Sequence, residues 1–230
     1  IKDTSSPKIS VKNNNVKNIN NIYYFKGDVK NDKNNAISFN IIDSSSIKNI
    51  EVYKDDNLLD KNQYDFTNNV LTIKNLELDK TSTYKIVAID DFGNKNPGET
   101  FNVYPDTTSP EIKFIDSNND QYRIANNNIY IMSDNITENK LTLNFKIFDN
   151  EDQCIDTIDP NSIHIKYKLK DTDYEIKDFQ YKFDPTSSIQ SINLTLPEEY
   201  EPFMGEISIS VDDVVGNKSD ETTGTIRYFR

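Results

Sequence analysis

The sequence predicts an all-β chain made of two antiparallel β-sandwiches in tandem. Three observations carry this. Only three alanines stand against 29 isoleucines, 13 tyrosines and 12 phenylalanines. Alanine is the best helix former, whereas β-branched and aromatic side chains favour strands. Apolar residues recur with a period of two, as in half-buried strands. Finally, three landmarks occur twice in the same order, the signature of an internal repeat.

The landmarks set the two copies. DTSSPKISV begins at Asp3 and DTTSPEIKF at Asp106, an offset of 103. FNIID ends at Asp43 and FKIFD at Asp149, an offset of 106. YKIVAIDDFGN runs from Tyr84 and ISISVDDVVGN from Ile207, an offset of 123. The growing offset places about 17 extra residues in the second copy, about seven of them in an acidic loop directly after Asp149. The expected modules are therefore residues 1–105 and 106–230. Between them, Pro105-Asp-Thr-Thr-Ser-Pro110 has proline at both ends, which restricts the backbone and predicts a semi-rigid linker.

Period-two sets follow in order. The first copy shows Ile37, Phe39 and Ile41; Ile50 and Val52; Leu71 and Ile73; Tyr84, Ile86 and Ala88; Phe101 and Val103. The second shows Leu143, Phe145 and Ile147; Ile163, Ile165, Tyr167 and Leu169; Ile192, Leu194 and Leu196; Ile207, Ile209 and Val211; Ile226 and Tyr228. This amounts to about seven short strands per copy. The 31 asparagines, and 23 lysines against three arginines, look like the imprint of an AT-rich genome.

With DTTSP at the module opening and Tyr84-x-Ile86-x-Ala88-x-Asp90-x-x-Gly93-Asn94 before the last strand, the chain resembles the bacterial immunoglobulin-like (Ig-like) domains that occur in tandem in surface proteins. The second copy carries Ile207, Ile209, Val211, Asp213, Gly216 and Asn217 at the same spacing. The resemblance implies two Ig-like sandwiches and does not specify a ligand, since such modules serve as stalks, adhesive heads and enzyme accessories. Asp90 and Asp213 are expected to accept hydrogen bonds from turn amides, with Gly-Asn supplying positive φ. Tyr84 resembles a tyrosine corner. Ile207 replaces it in the second copy, so the device is missing there or rebuilt around Tyr200.

Catalytic chemistry finds little support. His164, the only histidine, alternates away from the core in Ile163-His-Ile-Lys-Tyr. Cys154 is the only cysteine, which excludes an intramolecular disulfide. Asp149, Glu151, Asp152 and Asp156 surround it in sequence and would raise the thiol pKa, contrary to what a nucleophile needs. No phosphate loop, zinc spacing or nucleophile elbow is present. A Lys–Asn isopeptide bond, known in Gram-positive Ig-like modules, has no pairing that stands out among so many lysines and asparagines. The chain is read as not an enzyme.

Charge is divided unevenly. Residues 1–105 carry 14 lysines and 14 acids, and residues 106–230 carry 12 Lys+Arg and 24 acids, so the whole net charge of −12 lies in the second copy. This argues against nucleic acid and anionic membranes, which need basic faces. The plain reading is a solvated acidic surface. The sharper reading is calcium, which takes six to eight oxygen ligands. Ig topology would bring Asp106, Asp149, Glu151, Asp152, Asp212 and Asp213 toward the junction with the first module, and cadherin-like repeats and some bacterial Ig-like arrays hold calcium at such junctions.

No apolar run approaches the ~20 residues that cross a membrane. With no leader at Ile1, the chain reads as a piece of a longer exported polypeptide, extracellular or at the bacterial surface. Its expected role is a non-catalytic stalk, spacer or adhesive region. The alternative is an accessory module of a secreted cell-wall or carbohydrate-active enzyme that binds a glycan or host protein. Expected partners are neighbouring domains of the same polypeptide. The absence of tryptophan weakens sugar binding, leaving Tyr122, Tyr130, Tyr174 and Tyr181 as a candidate aromatic patch.

Overall fold

A computed structural model describes residues 3–12, 17–26, 35–116, 120–149, 155–198 and 202–228. The chain divides into two compact units, Ile1–Thr107 and Thr108–Arg230. By the repeat, Asp106 opens the second copy.

In the first unit, β1 (Lys8–Val11), β4 (Ile37–Ile42), β8 (Val70–Ile73) and β7 (Tyr64–Thr67) form a sheet in the order β1-β4-β8-β7. The facing sheet runs β2 (Lys17–Ile19), β3 (Ile22–Lys26), β10 (Glu99–Asp106), β9 (Ser82–Asp90), β5 (Ile47–Lys54), β6 (Asn57–Leu58). Neighbours are antiparallel except β3 and β10, which are parallel. In Ig lettering this is A-B-E-D against G-F-C-C′, with the β2–β3 hairpin added at the G edge.

The second unit repeats the plan. One sheet is β11 (Glu111–Phe114), β14 (Lys140–Phe148), β17 (Ile189–Thr195), β16 (Phe179–Tyr181). The other is β12 (Tyr122–Ala125), β13 (Asn128–Ile131), β19 (Thr222–Tyr228), β18 (Phe203–Ser210), β15 (His164–Leu169), with β13 and β19 again parallel. The chain is thus two tandem Ig-like sandwiches.

Alternation builds the cores. Ile37, Phe39 and Ile41 on β4 are buried against Leu71 and Ile73 on β8, and Ile86, Ala88 and Val103 face them from the other sheet. Leu141, Leu143, Phe145 and Ile147 on β14 do the same in the second unit. Each such side chain contributes about 1.5–3 kcal/mol on burial. Gly224 on β19 leaves room for this packing: a Cβ there would lie 2.8 Å from Ile129 Cδ1 and 3.0 Å from Phe114 Cε2.

The hairpins give the asparagines a structural use. Asn20-Asn21, Asn68-Asn69 and Asn126-Asn127 all have positive φ and join β2–β3, β7–β8 and β12–β13. Two successive left-handed residues define the tight hairpin turn whose twist matches the strands, and asparagine tolerates that region better than most residues. Composition alone assigned this abundance to nucleotide bias, but part of it serves the turns.

Two aromatic expectations are corrected. Tyr84 is buried and stacked on Phe101, ring centroids 5.5 Å apart. Among the described residues its hydroxyl makes no corner hydrogen bond, so it acts as a packing ring. In the second copy Ile207 takes its place and pairs across the ladder with Tyr167, whereas Tyr84 pairs with Lys54. The bulky ring has moved to the neighbouring strand, where Tyr167 packs edge-on to Phe203 at 6.3 Å. Tyr200 lies outside the described residues. The four-tyrosine patch does not form either. Tyr122 is buried, donates to Ile115 O at 2.8 Å and accepts from Asn144 N at 2.9 Å, and Tyr181 packs on Phe145.

The Tyr167 hydroxyl is buried with no hydrogen-bond partner among the described residues, and burial raises its pKa. An unsatisfied polar atom in a core costs about 1–3 kcal/mol. Tyr167→Phe is therefore expected to leave the second unit's stability unchanged or raise it by up to that amount, read from denaturant midpoints at constant slope. A loss of more than about 1 kcal/mol would show that the hydroxyl has a partner.

Candidate functional site

The strand-end turn of each copy is built on one aspartate. Asp90 closes β9 and is fully buried. Its carboxylate accepts from the Asn94 amide N–H at 2.7 Å, from Asn94 Nδ2 at 2.7 Å and from Ser45 Oγ at 3.2 Å. Burial pushes its pKa up, but the hydrogen bonds from Asn94, Ser45 and Phe92 outweigh this and hold it below the usual carboxylate range. Gly93, at φ +85°, lets the chain reverse so that the amides aim inward. Asp213 repeats the clamp, accepting from Asn217 N and Nδ2 at 2.8 Å each and from Val215 N at 2.9 Å, with Gly216 at φ +87°. Only the glycine of each Gly-Asn pair has positive φ.

Two more landmark aspartates join each clamp. In the first copy, Asp3, Asp43 and Asp90 place carboxylate oxygens within 4.8 Å of one another. Three like charges this close would repel strongly, and hydroxyls surround them. Asp3 accepts from Ser5 Oγ at 2.6 Å, Ser5 N at 2.9 Å and Ser44 Oγ at 2.5 Å. These bonds, Ser44's first, hold its pKa well below the ordinary value. Asp43 accepts from Ser45 N and Oγ at 2.9 and 2.8 Å, and Asn94 Nδ2 donates to the Asp3 carbonyl at 3.2 Å.

In the second copy, Asp106, Asp149 and Asp213 meet the same 4.8 Å criterion, and all three are buried. Of the six residues anticipated for a cation, the structure unites these three. Asp212 is only partly buried and is not part of the cluster, and its backbone N–H donates to Ser162 Oγ at 2.8 Å. Glu151 and Asp152 lie outside the described residues, as does Cys154. The first copy's cluster was not anticipated, although the three repeated landmarks each contain one of its aspartates. The donor set is oxygen alone, which suits a hard cation of the calcium class and not zinc. Where the first copy follows Asp43 with Ser44-Ser45-Ser46, the second follows Asp149 with Asn150-Glu151-Asp152. Hydroxyl donors are replaced there mainly by acids.

His164 is exposed on β15, opposite Ser210. It lines a shallow groove with Ile163, Ile165, Phe179, Gln180 and Tyr181. A groove at the matching seam of the first unit, between β5 and β7, is lined by Lys61, Tyr64 and Asp65 among others. There Lys61 Nζ donates to Ile50 O at 2.7 Å and Tyr64 Oη donates to the same oxygen at 3.0 Å. Neither groove brings a nucleophile within reach of a base among the described residues. No helix among them is long and apolar enough to cross a membrane.

No family model matches the chain, and no curated protein matches it. Among solved structures it is similar to the fibronectin(III)-like modules of Clostridium thermocellum CbhA, at 14% identity and TM-score 0.45 over 96% of this chain and 94% of that one. It is also similar to Rst D1–D2, at 10% identity and TM-score 0.38 over 98% and 100% of the two chains. A third is the D00–D0 domain of intimin, at 6% identity and TM-score 0.34 over 97% and 100%. At these values the fold assignment rests on the strand order described above.

Asp3 and Asp90 have depressed pKa values in the folded state. A depressed carboxylate contributes stability that is complete above its unfolded pKa of about 3.9 and is lost as pH falls through the folded value. The first unit is therefore expected to lose stability as pH drops below about 4. Asp90→Asn, which removes the titrating group, should be less stable at neutral pH and show a flatter acid limb in melts from neutral to acid. Parallel acid limbs for wild type and variant would refute this.

Proposed function

We propose that the chain is a non-catalytic tandem Ig-like spacer or adhesive segment of an exported bacterial surface protein. One observation carries the reading. The polar groups that converge in each copy are the landmark aspartates, and those of the first copy hold backbone amides and hydroxyls at a strand-end turn, not at the wall of a cleft. A duplicated sandwich whose polar cluster serves its own turn suits a mechanical role. The short connection of residues 107–110 between β10 and β11, ending in Pro110, supports the spacer reading. The isolated chain is expected to show no turnover of peptides, esters or glycans. Turnover abolished by His164→Ala would overturn the proposal.

Calcium belongs to this reading as a stabiliser of the second copy. Asp106, Asp149 and Asp213 would hold it, and its charge would offset the repulsion among three buried carboxylates. A ligand that binds only the folded state adds about 2.7 kcal/mol at a hundredfold excess over Kd, and extracellular sites work near 10⁻⁴–10⁻³ M. Millimolar calcium is expected to raise the melting temperature of the wild type relative to chelator, and to leave Asp149→Ala unmoved. Equal wild-type melting in calcium and chelator would reduce the cluster to a hydrogen-bonded turn.

A further inference from the structure

The outward face of the second unit's five-stranded sheet carries a row of side chains with no acid in it. Pairing registers set Arg123 on β12 beside Tyr130 on β13, Tyr130 beside Arg227 on β19, and Arg227 beside Met204 on β18. Lys170 continues the row, its backbone N–H donating to Met204 O at 3.1 Å. Two of the chain's three arginines thus flank one tyrosine, in the copy that carries the whole net charge of −12. Tyr130 is 41% exposed, and Met132, two residues on, is 46% exposed. Neighbouring strands lie about 4.8 Å apart, so the two arginine backbones stand roughly 10 Å apart across the ring.

The cations are held at the surface. Arg227 Nε donates to Asn128 Oδ1 at 2.6 Å and Nη1 contacts Met204 Sδ at 4.0 Å, which lays the guanidinium along the sheet. Those contacts engage two of its five N–H donors. Arg123 pairs with Asp120 and donates to Tyr122 O at 3.2 Å, and Lys170 Nζ contacts Thr225 Oγ1 at 3.3 Å. The first copy keeps the same positions. Lys17 pairs with Tyr24, and Tyr24 with Tyr104, the two rings 5.3 Å apart. A cation followed by a tyrosine on the added hairpin is thus present in both copies, although the surrounding residues have diverged.

We propose that this row binds a linear acidic glycan, a polymer in which carboxylated sugars present both a ring face and a negative charge. A pyranose face packs on Tyr130, with the apolar Met132 beside it. The flanking guanidiniums donate to carboxylates with the N–H groups that Asp120, Tyr122 O, Asn128 and Met204 leave open. An acidic peptide would supply the charge without a ring face for Tyr130. Nucleic acid needs a broad basic footprint, which a module of this net charge does not offer.

The test uses the whole chain in affinity electrophoresis and titration calorimetry with polygalacturonic acid, against dextran, poly-glutamate and single-stranded DNA. Polygalacturonic acid is expected to retard the wild type, and the other three polymers are not. Tyr130→Ala and Arg227→Gln should each weaken binding by at least about fivefold, as anchors in a contact do. Tyr174→Ala, exposed on a separate loop, should change nothing. Melting curves report folding, and if Arg227→Gln does not fold, Arg123→Gln replaces it. The proposal fails if polygalacturonic acid does not bind, if poly-glutamate or DNA binds equally well, or if the row variants bind as tightly as wild type.

Discussion

Each sandwich depends on taking carboxylates out of water at the end of its F strand. An ionised group leaves water at a cost of several kcal/mol unless donors replace the solvent. In the first copy Asp90 receives them from Asn94 and Ser45. In the second, Asp213 receives them from Val215 and Asn217. The geometry needs a glycine at positive φ, a turn of fixed length and an asparagine whose side chain folds back. Asp43 follows β4 in one sheet and Asp90 closes β9 in the other, so the cluster links the two sheets at the rim, where the apolar core gives out. Asp3, ahead of β1, belongs to the same cluster.

Much of this architecture is legible in the sequence. Ile37, Phe39 and Ile41, or Leu143, Phe145 and Ile147, alternate strictly because one face is wet and the other dry. The hairpins β2–β3 and β12–β13 were not legible. Ile-Tyr-Tyr-Phe at 22–25 shows no polar alternation, since tyrosine serves on either face. Tyr24 and Tyr130 face outward while Tyr23 and Tyr122 are buried, and the residue type does not distinguish them. The corner role assigned to Tyr84 failed for a related reason. That role requires a hydroxyl partner, and the local pattern around Tyr84 is equally that of a packing ring. The three-aspartate cluster was half legible. Convergence in the second copy follows from Ig topology, whereas the first copy's net charge of zero gives no electrostatic signal for its own cluster.

The two copies show how one device tolerates different surroundings. After Asp43 come three serines, and the hydroxyls of Ser44 and Ser45 donate to carboxylates and ask for no counter-charge. After Asp149 come an asparagine and two acids, so the second copy gains negative charge at the position where the first gains donors. Core packing shows the same freedom. Tyr84 opposite Lys54 becomes Ile207 opposite Tyr167, which keeps one large ring per strand pair while changing the strand that supplies it. Volume is conserved more strictly than position, as expected of cores that tolerate compensated exchange.

Net charge describes the second copy poorly because charge acts locally. At physiological salt the Debye length is about 8 Å, so exposed charges farther apart are largely screened. Met204 lies near the start of β18 and Asp213 beyond its end, nine residues along an extended chain. At about 3.4 Å per residue that is roughly 30 Å, several screening lengths. The aspartate cluster and the Arg123–Tyr130–Arg227 row therefore act as electrostatically separate surfaces of one module. Any polyanion is repelled by the surface acids that it passes within a screening length and attracted where cations cluster. A glycan chain lying along this row meets two guanidiniums, a lysine, a ring and a thioether, with Asp120 against Arg123 and Glu206 two residues along the strand from Met204. The net charge therefore weighs on any polyanion alike, and binding of an acidic glycan depends on the local donors and ring of this row.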